Sequence, residues 1–169
     1  MPNATGKAAE RPDVTAFELL TRALIGIAMD GLQVEGGRVS LPQFRLLLML
    51  NGLGRVQSSK LAAHLGLAAS AVTRMVDRLQ HAGLVQRGTD PRSRSIVTVD
   101  LTTEGRDLVD AVLARRQQRI CAVLDQMSPA DHEAAVRAAI EFTSLSVDTI
   151  ALGESGPVPL RSLQDTGNG

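Results

Sequence analysis

Apolar residues along this chain recur mostly at steps of three and four, the spacing that gathers them on one side of a helix. Phe17, Leu20, Leu24, Ile27 and Ala28 form the first stripe, which runs from near Val14 until Gly36-Gly37 interrupts it. Ser40-Leu41-Pro42-Gln43 predicts the next helix start. Ser and Gln three apart make a capping box, and Pro42 falls in the first turn, where no N–H is needed. Phe44, Leu47, Leu48 and Leu50 supply the buried face, and Asn51-Gly52 with Gly54 ends the helix. Two short helices follow, from about Ser58 to Leu65 and from Ala69 to Ala82, the second closed by Gly83. The period then changes. Leu84-Val85 and Ile96-Val97-Thr98-Val99 favour strands, and the turn-rich stretch Arg87 to Ser95 reads as the loop of a β-hairpin. Thr102 is placed to cap a long helix to about Met127, with Leu108, Val112, Ile120, Val123 and Leu124 on its apolar side. Ser128-Pro129-Ala130-Asp131 opens a last helix to about Ala151. The order α-α-α-α-β-β-α-α predicts a mainly α fold with a small β-hairpin and no internal repeat.

Composition adds a constraint on the core. With three Phe and no Tyr or Trp, it is aliphatic, which suits packed helices. The polar first twelve residues and the Gly-, Pro- and Ser-rich segment 153–169 are expected to be disordered. The formal net charge is zero, but its distribution is uneven. Between Arg55 and Arg94 stand seven basic residues against Asp77 and Asp90, a surplus of five that the rest of the chain balances. A basic middle in an acidic frame fits a DNA-docking module or, equally, a solvated face that happens to be basic.

The segment Leu61-Ala62-Ala63-His64-Leu65-Gly66-Leu67-Ala68-Ala69-Ser70-Ala71-Val72 meets the demands of two short helices crossing steeply through a tight turn. Ala62 is small where the helices nearly touch. Gly66, four residues on, can take the left-handed turn conformation. Val72, six residues further, plugs the angle, and Leu61, Leu65, Met75, Val76 and Leu79 complete a small core. Burying Val72, Met75, Val76 and Leu79 leaves Ser70, Ala71, Thr73, Arg74, Asp77 and Arg78 outside. Such a helix reads base edges with its N-terminal part. Ala69, Ser70 and Ala71 are small enough for close approach, Ser70 and Thr73 can hydrogen-bond, and Arg74 can form a bidentate contact with guanine or phosphate. Ser70 reads equally as the helix cap, and Arg78 as the partner of a neighbouring acid. Ser59 and Lys60 on the preceding helix are further candidate DNA contacts, as are Arg92 and Arg94 near the hairpin tip, where an arginine can enter a narrow minor groove.

Other chemistries find little purchase. One cysteine, Cys121, allows no internal disulfide and reads as a small core residue. His64, His81 and His132 are scattered, with His64 read as a solvated helix residue, so no metal or other cofactor is expected. No Gly-rich phosphate loop, H-E-x-x-H or nucleophile elbow is present, so an enzyme is not expected. No apolar run approaches the roughly 20 residues that span a bilayer. No secretory signal is evident, so a soluble cytoplasmic protein is expected.

From Leu41 to Leu108 the chain resembles the MarR family of bacterial regulators. Leu41-Pro42-Gln43-Phe44-Arg45, Leu61 to Leu67, Ser70 to Leu79, Gly83-Leu84-Val85-Gln86-Arg87, Asp90-Pro91 and Val99 to Arg106 carry the likeness. The resemblance implies a winged helix-turn-helix over 38–102, between an N-terminal dimerisation helix (13–37) and C-terminal dimerisation helices (103–152). It implies a homodimer on a palindromic double-stranded operator, repressing nearby genes until a small anionic or aromatic effector binds. One departure stands out. Relatives carry Asp-Arg-Arg where this chain has Ser93-Arg94-Ser95, and their inserted minor-groove arginine falls at Ser95. That leaves Arg92 or Arg94 to take the role, or a weakened wing. The alternative function is a protein-interaction module or antirepressor that has lost specific DNA reading.

Overall fold

The computed structural model describes residues 11–90 and 93–150. Helix α1 (Pro12–Gly31) leads through a short 3-10 turn, Val34–Gly36, to α2 (Leu41–Leu53). A two-residue strand β1 (Val56–Gln57) precedes α3 (Ser58–Leu65) and α4 (Ala69–His81). The hairpin β2 (Val85–Asp90) and β3 (Ser93–Leu101) follows, then the long helices α5 (Thr103–Leu124) and α6 (Pro129–Ile150). β3 is the middle strand of an antiparallel sheet in the order β1-β3-β2, with Val56 opposite Val99 and Val85 opposite Leu101.

The core is aliphatic, as composition requires. Leu46, Leu47 and Leu50 of α2 meet Leu61, Val72, Val76 and Leu79, and the cluster continues through Leu84, Val99 and Leu101 to Val109 and Val112 of α5. Each such side chain contributes about 1.5–3 kcal/mol of burial. Helix ends are set where the side chains allow. Gln43 Oε1 accepts from the Ser40 N–H at 2.8 Å, and Thr102 Oγ1 accepts from the Gly105 N–H at 3.0 Å. Ser128 Oγ accepts from the Asp131 N–H at 3.2 Å. α5 starts hard against the entry to β2: a Cβ at Gly105 would stand 2.0 Å from the Leu84 carbonyl oxygen. Arg38 reaches Glu104 at 2.7 Å and fastens the segment before α2 to this same corner.

At its far end α5 holds α1. Arg119 Nε and Arg115 Nε donate to Asp30 Oδ2 at 2.9 and 3.2 Å. The hydrogen bond from Arg119, then that from Arg115 and the charges of both, hold the Asp30 carboxyl below its ordinary value despite some desolvation. α6 meets α1 through Phe17 and Phe142, whose rings stack at 4.7 Å.

Several sequence expectations change. β1 is too short to show a period, and its pairing with β3 creates it. The stretch read as a loop is mostly strand: β2 runs to Asp90 and β3 begins at Ser93, because ladder pairing carries poor strand formers such as Gly88. α2 runs through Asn51-Gly52 to Leu53 and stops at Gly54, whose φ is 71°. One interior glycine costs about 1 kcal/mol, less than the burial of Met49 and Leu50 returns. The first helix ends at Gly31, before the expected break. Its stripe faces outward in the single chain: Phe17, Leu20 and Leu24 are exposed, as are Val123 of α5 and Ile140 of α6. Cys121 is exposed rather than packed in the core, because this end of α5 projects beyond the cluster that buries Val109 and Val112. Among the described residues no helix is long and apolar enough to cross a membrane.

Candidate nucleic-acid interface

α3 ends at Gly66, which takes φ 63° and ψ 34°. The Leu67 N–H returns to the Ala62 carbonyl at 3.1 Å, closing the helix and turning the chain into α4. Ala62 is partly buried at the crossing, over Leu61, Leu65, Val72 and Val76. Hence α4 is fixed from below by side chains that are almost wholly buried, and its other side is free.

That free side carries the predicted residues. Ala69, Ser70, Thr73, Arg74 and Arg78 are exposed and Ala71 is half-buried. Ala68, in extended backbone, is the N-cap and offers no side-chain bond. Ser70 is therefore the second residue of the helix rather than its cap, and its hydroxyl has no partner among the described residues. The Ala71 and Val72 amides both donate to the Ala68 carbonyl, at 2.9 and 3.2 Å. The Ala69 and Ser70 amides are left for an outside acceptor, at the positive end of a 13-residue helix. Thr73 Oγ1 donates to the Ala69 carbonyl at 3.0 Å, so its hydroxyl presents lone pairs to a donor.

Arg74 and Arg78 lie one turn apart and have no ion pair among the described residues. The acid beside Arg78 is taken from elsewhere: Arg87 Nη2 of β2 stands 2.7 Å from Asp77 Oδ1. Sequence reasoning had no signal for this bond beyond Asp77 being the one acid on α4. Arg55 likewise leans on Asp100 at 3.7 Å, so the raw surplus of basic residues overstates the charge left for a ligand. Ser59 and Lys60 are exposed on the first turn of α3, separate from the α4 set. Arg94 belongs to β3 by its backbone, while its side chain and the whole of Arg92 lie outside the described residues.

A helix pair crossing at a left-handed glycine, followed by an antiparallel hairpin, defines a winged helix-turn-helix protein. A family model described as MarR family matches residues 39–97. The crystal structure of RV1404 from Mycobacterium tuberculosis superposes with a TM-score of 0.73 at 38% identity, over 81% of this chain and 95% of that one. YfiV, an uncharacterised HTH-type transcriptional regulator of Bacillus subtilis, is 26% identical over 121 residues, 72% of this chain and 74% of its own. A mutant of S. aureus MepR bound to an oligodeoxyribonucleotide shares the fold, with a TM-score of 0.64 at 18% identity over 80% and 98% of the two chains. The chain belongs to the MarR family.

Proposed function

We propose that this protein is a homodimeric regulator that binds a palindromic operator in double-stranded DNA and represses transcription until a small anionic or aromatic effector releases it. The observation that carries the reading is the outward side of α4. It combines a helix start with no side-chain cap, the Thr73 lone pairs, and a Ser70 hydroxyl, Arg74 and Arg78 that have no partner among the described residues. These are the groups that read a major groove, with Arg for guanine and small residues for close approach. Ser59 and Lys60, and Arg92 or Arg94 of the wing, would add phosphate and minor-groove contacts. The fold neighbour on an oligodeoxyribonucleotide is consistent with the same use.

The apolar residues left bare on α1 and α6 support the dimer. Effector control is supported by a groove of about 450 Å³ between α1 and α5, lined by Ala23, Ile27 and Val123 beside the Arg119–Asp30 ion pair. Selection of bound fragments from random duplexes tests the reading. A two-fold motif with half-sites about one helical turn apart, and affinity falling steeply with salt, is the expected result. Weak, sequence-blind binding would favour the interaction-module alternative.

A further inference from the structure

The ion pair between Asp77 and Arg87 joins the helix proposed to read bases to the strand that carries the wing. An acid on a DNA-facing helix repels phosphate, so its presence calls for another explanation. Asp77 is the one acid on α4, between Arg74 and Arg78, yet its carboxylate engages neither. It turns to Arg87, and a His81 ring nitrogen lies 3.0 Å from its backbone oxygen. Both charged side chains are partly exposed, 46% and 33%, so the bond contributes little to overall folding. What it fixes is spacing. β2 is buried at Val85 but exposed from Gln86 to Thr89, so packing alone holds this stretch loosely against α4.

Resting on the DNA-binding reading above, we infer that Asp77 and Arg87 form a latch that sets the distance between recognition helix and wing. The acid at 77 thereby raises specific binding while it weakens sequence-blind attraction. A helix and a wing that must enter adjacent grooves together gain from being presented at one spacing. Removing the carboxylate makes the surface one charge more positive, which strengthens general attraction to phosphate. The two effects have opposite signs on the operator, and that separates them.

The experiment measures Asp77→Asn against a selected operator and a random duplex across salt. The latch predicts operator affinity about two- to fivefold weaker, the range an exposed ion pair can supply, and random-duplex affinity slightly tighter. Asp77→Glu should keep most of the operator affinity, and Arg87→Gln should add less in the Asp77→Asn background than alone. Equal tightening on both duplexes would overturn the inference. Hydrogen exchange on the free protein reads the latch without DNA: Asp77→Asn should speed exchange at Thr89 and Val97 and leave Leu46 and Leu47 unchanged. Unaltered exchange in the wing also overturns it. If the wild type prefers no duplex, the functional reading fails, and exchange alone decides the latch.

Discussion

At the scale of single residues, two glycines and one arginine carry most of the consequence. Gly105 admits no side chain because its Cβ would meet the Leu84 carbonyl at 2.0 Å. Gly105→Ala should therefore lose about 2 kcal/mol or more of stability, read from the midpoint of urea denaturation. Gly66 sits at positive φ, where any other residue is strained, so Gly66→Ala should lose about 1 kcal/mol by the same measurement. Arg74 is exposed and has no ion pair among the described residues, so Arg74→Ala should leave the melting temperature in place. Gel-shift titration should show it weakening operator binding by roughly 1–3 kcal/mol. Unchanged affinity would remove α4 from the major groove. Gly66 was legible in the sequence because its turn demands a fixed spacing. Gly105 was not, since a close backbone approach from a residue 21 positions earlier leaves no local trace.

Elements differ in how plainly the sequence announces them. The helices are visible because a stripe at 3.6-residue period must bury against something, and caps such as Thr102 and Ser128 mark their starts. The wing is less visible: β2 and β3 extend through Gly88, Asp90 and Ser93, whose own preferences favour turns. Pairing across the hairpin, and between β3 and β1, is non-local. The same holds for the junction of α1 and α5, where Asp30 accepts from both Arg119 and Arg115. An aspartate held below its ordinary value of 3.8 stabilises the folded state above that pH. The contribution fades as the pH falls from 3.8 toward the lowered value. Asp30→Asn should accordingly flatten the acid limb of stability against pH, followed by circular dichroism. An unchanged acid limb would show that the junction is held by packing alone.

The whole molecule shows two kinds of surface. One is the polar, partly basic side of α4. The other is apolar: Ile140 and Leu145 on α6 are 66% and 63% exposed, and Ile25 and Leu19 on α1 are 57% and 59%. Apolar patches of this kind are normally covered. The sequence showed an apolar stripe on the first helix but none on the last, and only the family resemblance implied that both belong to a dimer contact. Ile140→Asp should yield a monomer in sedimentation velocity and abolish operator binding, since two half-sites then no longer act together. A variant that sediments and binds as wild type would place the contact elsewhere.

The seating of α5 has a mechanical consequence. Its 22 residues make a rod about 33 Å long. One tip is wedged against the Leu84 carbonyl with no slack, and the rod is bolted to α1 further along, at Arg115 and Arg119. A pivot of about 5° at the bolted part, about 15–21 Å along the helix from Gly105, swings the wedged tip by about 1.5 Å. Whatever nudges α1 thus arrives at the root of the hairpin as displacement, not as a diffuse softening.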